Sequence, residues 1–199
     1  MVRSARLLVL TVALAGAGGG AACGRDAEPR RDDTTSVMMV PGRSDTAEPT
    51  SPVTDSHILA LLDRAHRTDS AAAALAITKG TSSDVRTFAR QLLRDHHSLR
   101  AEGERVARRL RLVPELPPGD QSDAEMEEIL RVLNGTSRGR DFDKAYIDHE
   151  VAYHVDVLET AVASMQLART AEVQAYIQRL APTLQGHLDR AQELQATFR

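Results

Sequence analysis

The spacing of apolar residues changes character near residue 54 and keeps one period from there to the end of the chain. Ile58, Leu62, Ala65, Ala72 and Ala76 form a first series, and Val85, Phe88, Ala89, Leu92, Leu99, Val106 and Leu110 a second. Ile147, Val151, Leu158, Ala161 and Met165 form a third, and Val173, Ile177, Leu180, Leu184, Ala191, Leu194 and Phe198 a fourth. Intervals of three and four residues lay one stripe along a helix, and no segment alternates as a strand would. The pattern therefore predicts an all-α domain with four long helices. The first opens with Thr54 or Asp55 as N-cap and closes at Lys79-Gly80, where glycine suits a C-terminal cap. The second starts behind Ser82 or Ser83 and stops at Val113-Pro114, because the residue before proline avoids helical dihedrals. A short helix over Asp123–Leu133 carries Met126, Ile129 and Leu130 and breaks at Asn134-Gly135. The third long helix runs from Asp141 to about Leu167, and the fourth contains Pro182, which is expected to bend it.

Two hairpins, turning near Thr81 and Thr170 and joined by a crossover with a short helix, make a four-helix bundle. The crossover is expected to bring both turns to the same end. Histidines interrupt the stripes at matching distances. His66 lies fifteen residues before Thr81 and His96 fifteen after it, while His154 lies sixteen before Thr170 and His187 seventeen after it. At about 1.5 Å of rise per residue all four stand about 22–26 Å from the turns, so they can share one layer.

Imidazole buried without partners is costly, so each core histidine needs a hydrogen bond, a carboxylate or a metal. Carboxylates are close by in sequence. Asp69 lies on the first stripe, Asp95 adjoins His96, and Glu150 precedes His154 at the i,i+4 spacing that shares a helix face. Histidine and carboxylate projected inward are how bundles build transition-metal sites. His96, His154 and His187 with Asp69 or Glu150 are the candidate ligands for iron, manganese or zinc, and Asp95 and His66 are further candidates. The competing reading is a buried Asp–His layer that fixes helix register at some cost in stability. No Glu-x-x-His occurs anywhere, and Glu150-x-x-x-His154 stands in its place. His57 and His97 read as solvent-facing and without a role.

Composition narrows the function classes. A net charge of −3 does not favour nucleic acid or another charged polymer as partner. The basic run Arg100–Arg111 contains acidic residues and no aromatics, and reads as a solvated helix face. No nucleophile elbow, Walker loop or dinucleotide fingerprint is present, so a classical enzyme is not expected.

The N-terminus points to export. Arg3 and Arg6 precede the apolar run from Leu7 to Ala15, and small residues follow up to Cys23, the single cysteine of the chain. That is the layout of a signal peptide over residues 1–22, with an apolar run too short to span a membrane. Cysteine behind Gly20-Ala21-Ala22 resembles a bacterial lipobox, in which the thiol is acylated and becomes the mature N-terminus, although Gly20 departs from the usual Leu. Ordinary cleavage near Ala22 is the alternative. Residues 23–54 then form the anchor and a tether rich in Pro, Ser, Thr and mixed charge, which cannot bury a core. Residues 55–199 are the size of one domain. The membrane, through the lipid, and unidentified envelope proteins are the expected partners.

Three motifs carry a family resemblance. Val85-Arg86-Thr87-Phe88-Ala89 followed by Asp95-His96, Phe142-Asp143-Lys144-Ala145-Tyr146 with His154, and Leu180-Ala181-Pro182-Thr183-Leu184 with His187-Leu188 occur in order. They resemble the signature of the bacterial domain-of-unknown-function family 4142, over about Asp55 to Leu194. The resemblance implies a ferritin-like bundle in an exported protein, carries over to Asp95, His96, His154 and His187, and implies no activity. Asp69 stands where the family usually has Glu, Ala71 replaces a frequent acidic residue, and His66 replaces a small one. A family carboxylate is thus shortened or lost.

If Cys23 is the anchor, Cys23→Ser shifts the protein from the membrane fraction to the soluble envelope fraction or the medium. Unchanged partitioning, with no lipid mass on the wild-type N-terminus, contradicts the lipid anchor.

Overall fold

A computed structural model describes residues 52–198, so the signal segment, Cys23 and the tether up to residue 51 lie outside the described residues. These form five helices: α1 (Asp55–Lys79), α2 (Ser83–Leu110), α3 (Ser122–Gly135), α4 (Arg140–Leu167) and α5 (Ala171–Ala196). α1 pairs with α2 and α4 with α5 as hairpins, and the hairpins meet through α2 against α5 and α1 against α4. α3 lies along α1. Its start is tied by an ion pair from Arg64 to Asp123 at 2.5 Å, and its end by the Lys79 ammonium donating to the Leu133 carbonyl at 2.9 Å.

The stripes of α1, α2 and α5 are buried as their periodicity predicts, with Leu110 and Phe198 packed at the margins. On α4 the buried face is rotated. Tyr146, Glu150, Tyr153 and Val157 are buried, whereas Val151, Leu158 and Met165 are only partly covered. Apolar residues surround α4, with Val155 and Val162 exposed, so spacing alone does not define its inner face. The short helix extends through Asn134-Gly135 instead of breaking there, and its one fully buried residue is Leu133. α2 ends before the Val113-Pro114 step, at Arg111 in the left-handed conformation (φ 55°). Gly80 does cap α1, but in extended backbone (φ −61°). Space requires glycine there, because a Cβ would stand 2.6 Å from the Ala76 carbonyl oxygen and 3.2 Å from Asp143 Oδ1. α5 runs unbroken through the exposed Pro182.

The two turns lie at opposite ends, contrary to the expectation from the crossover. Asp143, in the first turn of α4, accepts from the Thr81 amide at 2.9 Å, the Thr81 hydroxyl at 2.6 Å and the Ser82 amide at 2.8 Å. Asp55, in the first turn of α1, accepts from the amides of Arg169 at 2.8 Å and Thr170 at 3.0 Å. Each hairpin thus begins by gripping the turn of the other. The crossover allows this because α3, at about 1.5 Å per residue, climbs roughly 20 Å along the bundle. α4 therefore starts beside the α1–α2 turn and runs down. The histidines still meet, because each sits near the middle of its helix and mid-helix residues come together whichever way the helices run.

A sequence offset underlies the reciprocal grip. Asp143 stands 88 positions after Asp55, Thr170 88 after Ser82, Ala168 88 after Gly80 and His154 88 after His66. The hairpins are pseudo-equivalent around their turns, with the C-caps Gly80 and Ala168, the N-caps Ser82 and Thr170 and the clasping aspartates in register.

Replacing Asp143 by Ala leaves the Thr81 and Ser82 amides without their acceptor. Hydrogen bonds to a charged group are worth about 1.5–3 kcal/mol, so Asp143→Ala should lower unfolding free energy by at least that much. Asp55→Ala should act likewise. Denaturant unfolding checks both, and a loss under about 0.5 kcal/mol, typical of an ordinary surface change, contradicts the clasp.

Candidate metal centre

Every long helix carries its apolar stripe in two blocks with a polar interruption between them. On α1 the break is His66 and Asp69, between Leu62 and Ala72, and on α2 it is His96, between Leu92 and Leu99. On α4 it is Glu150 and His154, and on α5 His187, between Leu184 and Ala191. The breaks coincide in space and divide two apolar clusters. His66, Asp69, His96, Glu150, His154 and His187 are all buried, Asp69 and Glu150 completely.

The hydrogen-bond partners decide where the ring protons sit, because backbone carbonyls and carboxylates only accept. His154 Nδ1–H donates to the Glu150 carbonyl at 3.0 Å, which leaves its Nε2 bare. His187 Nε2–H donates to Asp95 Oδ2 at 2.9 Å, which leaves its Nδ1 bare. These two bare nitrogens face each other at 3.3 Å. A third joins them. With the Tyr176 hydroxyl donating to the Leu99 carbonyl at 3.1 Å, its oxygen accepts from His66 Nε2–H at 3.3 Å. His66 Nδ1 then accepts from His96 Nδ1–H at 2.9 Å, and His96 Nε2 is bare. Asp69 Oδ2 lies 3.2 Å from His96 Nε2 and 3.5 Å from His154 Nε2.

Burial sets the charges. It lowers the pKa of His66 to about 3 and that of His96 well below the ordinary histidine value, with the neighbouring imidazoles adding to the effect on His96. Burial also lowers His187, against the pull of Asp95. Burial raises Asp69 well above the usual carboxylate range, and the charge of Glu150 adds to this. Glu150 is pushed up to about 8 by burial, opposed by the Tyr146 hydroxyl beside it. Its Oε2 lies 3.4 Å from His154 Nδ1. Metal-ligand atoms of His96, His154 and His187 lie within 4.8 Å of one another, as do those of Asp69, Glu150 and His154.

Of the seven residues singled out from the sequence, the structure gathers five into two trios that share His154: His96, His154 and His187, and Asp69, Glu150 and His154, with Asp69 Oδ2 also 3.2 Å from His96 Nε2. His66 and Asp95 stand one hydrogen bond further out, and Asp95 is the one carboxylate of the group reached by solvent, its side chain 34% exposed. Glu150 lies behind His154. His97 is exposed as expected, but His57 is half-buried and does have a role. It forms a capping box with Thr54, whose hydroxyl accepts from the His57 amide at 3.2 Å while His57 Nδ1 accepts from the Thr54 amide at 3.4 Å. Sequence reading missed the tyrosines. Tyr146, Tyr153 and Tyr176, all three in the chain, border the polar layer, and their rarity was the one available signal.

The chain belongs to the family described as Domain of unknown function (DUF4142), which matches residues 40–194. No curated protein and no solved structure matches it.

The opposed shifts give the metal-free domain a stability optimum. His66, His96, His187 and His149 (lowered to about 4 by burial) exclude protons that the unfolded chain accepts. Their contribution is complete above about pH 6.5 and is lost as pH falls through that value toward their folded pKa values. Burial raises Asp69 and Glu150 above their unfolded values, so their contribution is lost as pH rises out of the ordinary carboxylate range, for Glu150 from about 4.5 to about 8. Histidines outnumber carboxylates where the windows overlap, so stability with chelator present should peak near pH 6.5. Melting curves from pH 4 to 9 check this, and stability still rising at pH 8 contradicts it.

Proposed function

We propose that this domain binds one divalent transition-metal ion through His96 Nε2, His154 Nε2, His187 Nδ1 and Asp69 Oδ2, and that the protein is exported and lipid-anchored through Cys23. The observation that carries the reading is the 3.3 Å approach of His154 Nε2 to His187 Nδ1, with the protons of both rings committed elsewhere. Facing lone pairs repel, and a cation between them turns repulsion into two bonds. Separations of 3.2 Å for His96–Asp69, 3.3 Å for His154–His187 and 3.5 Å for His154–Asp69 suit one shared ion. A tetrahedral centre with bonds of about 2.1 Å has ligand atoms about 3.4 Å apart. Three imidazoles and a carboxylate suit zinc, iron(II) or manganese(II).

Around these ligands His66 and Asp95 act as outer partners that hold His96 and His187 in the ligating tautomer. Glu150 supplies the second negative charge, which with Asp69 balances a divalent ion in an apolar interior. Four protein ligands leave no open position, which favours holding the ion over turning over a substrate. We read the fold as ferritin-like on its order of helices, two antiparallel hairpins with a long crossover, and on its inward histidine–carboxylate layer. Arg3, Arg6, the apolar run to Ala15 and the small residues before Cys23 support export and the anchor.

The second reading, a metal-free layer that fixes helix register, is favoured by one observation: Asp69 and Glu150 are completely buried, which raises both toward the protonated form, so the layer can be neutral by itself. A ligand that binds only the folded state at a hundred times its Kd stabilises by about 2.7 kcal/mol. Zinc, manganese(II) or iron(II) should therefore raise the melting temperature by several degrees, as expected for a domain of this size. His154→Ala and His187→Ala should each abolish the shift, while His97→Ala leaves it intact. Binding should weaken below about pH 6, where protons compete for imidazole. If no ion moves the transition but the two variants are destabilised, the register reading holds. If neither happens, the layer is neither site nor network.

A further inference from the structure

We propose that Tyr176, which touches none of the four ligands, sets the ion affinity of the centre through the line Tyr176–His66–His96; this rests on the metal reading above. Tyr176 is a positioning residue and terminates the line because its hydroxyl bridges two partners, the Leu99 carbonyl at 3.1 Å and His66 Nε2 at 3.3 Å. His66 Nδ1 meets His96 Nδ1 at 2.9 Å, so the three side chains can order their protons in only two ways. In one, the hydroxyl donates to Leu99, His66 carries its proton on Nε2 and His96 carries its own on Nδ1. His96 Nε2 then presents a lone pair to the ion. In the other, the hydroxyl donates to His66 Nε2, His66 Nδ1–H donates to His96 Nδ1, and the His96 proton moves to Nε2, an atom with no hydrogen-bond partner, although Asp69 Oδ2 lies 3.2 Å away. That state blocks a ligand position. The number of protons is the same in both, so the ion selects a direction rather than a charge.

The packing holds the phenol where the line needs it. α2 passes it at Gly103, where a Cβ would lie 2.9 Å from the Tyr176 oxygen and 3.1 Å from its ring carbon Cζ. The Leu99 carbonyl belongs to the same helix and biases the line toward the ligating order. Without this acceptor arrangement His66 is free to present Nδ1–H, and His96 must then turn its own proton toward the ion.

Tyr153 provides a matched control. It is equally a buried tyrosine donating to a backbone carbonyl, that of Ala65 at 3.1 Å, but no hydrogen bond of its hydroxyl leads to the centre. Outer partners of metal ligands change affinity by about 10–100-fold. Zinc titration of the full chain against a competing chelator should therefore show Tyr176→Phe weakened by that factor and Tyr153→Phe unchanged, although both lose a similar hydroxyl. Gly103→Ala should weaken binding in the same direction by crowding the phenol. Nitrogen-15 spectra of the histidines give a second readout: the His66 proton should sit on Nε2 in wild type, with or without zinc, and populate Nδ1 in metal-free Tyr176→Phe. Equal zinc affinity in wild type and both Tyr→Phe variants, or equal weakening of both variants, overturns the relay and leaves the metal site standing. If wild type takes up none of zinc, manganese(II) and iron(II), the relay falls together with the metal reading.

Discussion

Two imidazole nitrogens held 3.3 Å apart in an apolar interior, with no ring proton left to place between them, are the constraint around which this bundle is organised. Each of their protons is anchored outward, His154 on the Glu150 carbonyl of its own helix and His187 on Asp95 of α2. Had either ring donated inward, the pair would be an ordinary hydrogen bond and the layer would need nothing more. The outward anchoring also explains why the neighbouring carboxylates are unequal. Asp95 is reached by solvent and accepts from His187 Nε2–H, whereas Asp69 and Glu150 are wholly buried, Asp69 beside the bare nitrogens of His96 and His154 and Glu150 beside His154 Nδ1. Buried carboxylates without full hydrogen-bond complements are expensive, and their natural compensation is a proton or a cation.

The apolar core is arranged to keep that layer in place. One cluster runs from Ile58 and Val106 to Leu184, the other from Ala76 and Phe88 to Leu194, with the polar layer between them. The clasping aspartates act at the two ends. Because Asp55 and Asp143 each bind the opposite hairpin's turn, sliding one hairpin along the other breaks hydrogen bonds at both ends together. A shift of one helical turn, about 5.4 Å, would separate the side chains of the layer, which approach one another within about 3.5 Å. Axial register and site geometry are thus one property of the chain.

Much of this was legible from spacing. α1, α2 and α5 have clean three-four stripes, so their inner faces, and with them Asp69, His96 and His187, followed directly. α4 was harder, since Val151, Val155, Leu158 and Val162 surround it with apolar residues. Its true inner face, carrying Tyr146, Glu150, Tyr153 and His154, becomes clear only when α1 and α5 are packed against it. The direction of the crossover was not legible, because helix α3 has only Leu133 fully buried and its path along α1 depends on Lys79 and Arg64, far away in sequence. Nor was the division of the histidines into those with a bare nitrogen facing the layer and those turned away from it, since ring-proton placement depends on carbonyls and hydroxyls that spacing does not reveal.

The pseudo-equivalence of the hairpins sharpens that division. His66 and His154 occupy equivalent positions 88 apart, yet one faces a tyrosine and another imidazole while the other faces the centre. The asymmetry arises on the partner helices. His187 follows His96 by 91 positions, one turn further than the offset, so the place equivalent to His96 is Leu184 and the place equivalent to His187 is Leu99. In the second hairpin that one-turn step puts an imidazole beside His154. In the first it leaves a backbone carbonyl, which Tyr176 takes up, itself 88 positions after Phe88. A strictly repeated pair of hairpins would have produced two equal imidazole pairs facing each other across the bundle. With one histidine a turn away from the repeat position, and tyrosine where the first hairpin has phenylalanine, the chain instead has one facing imidazole pair on one side and the hydrogen-bonded line Tyr176–His66–His96 on the other.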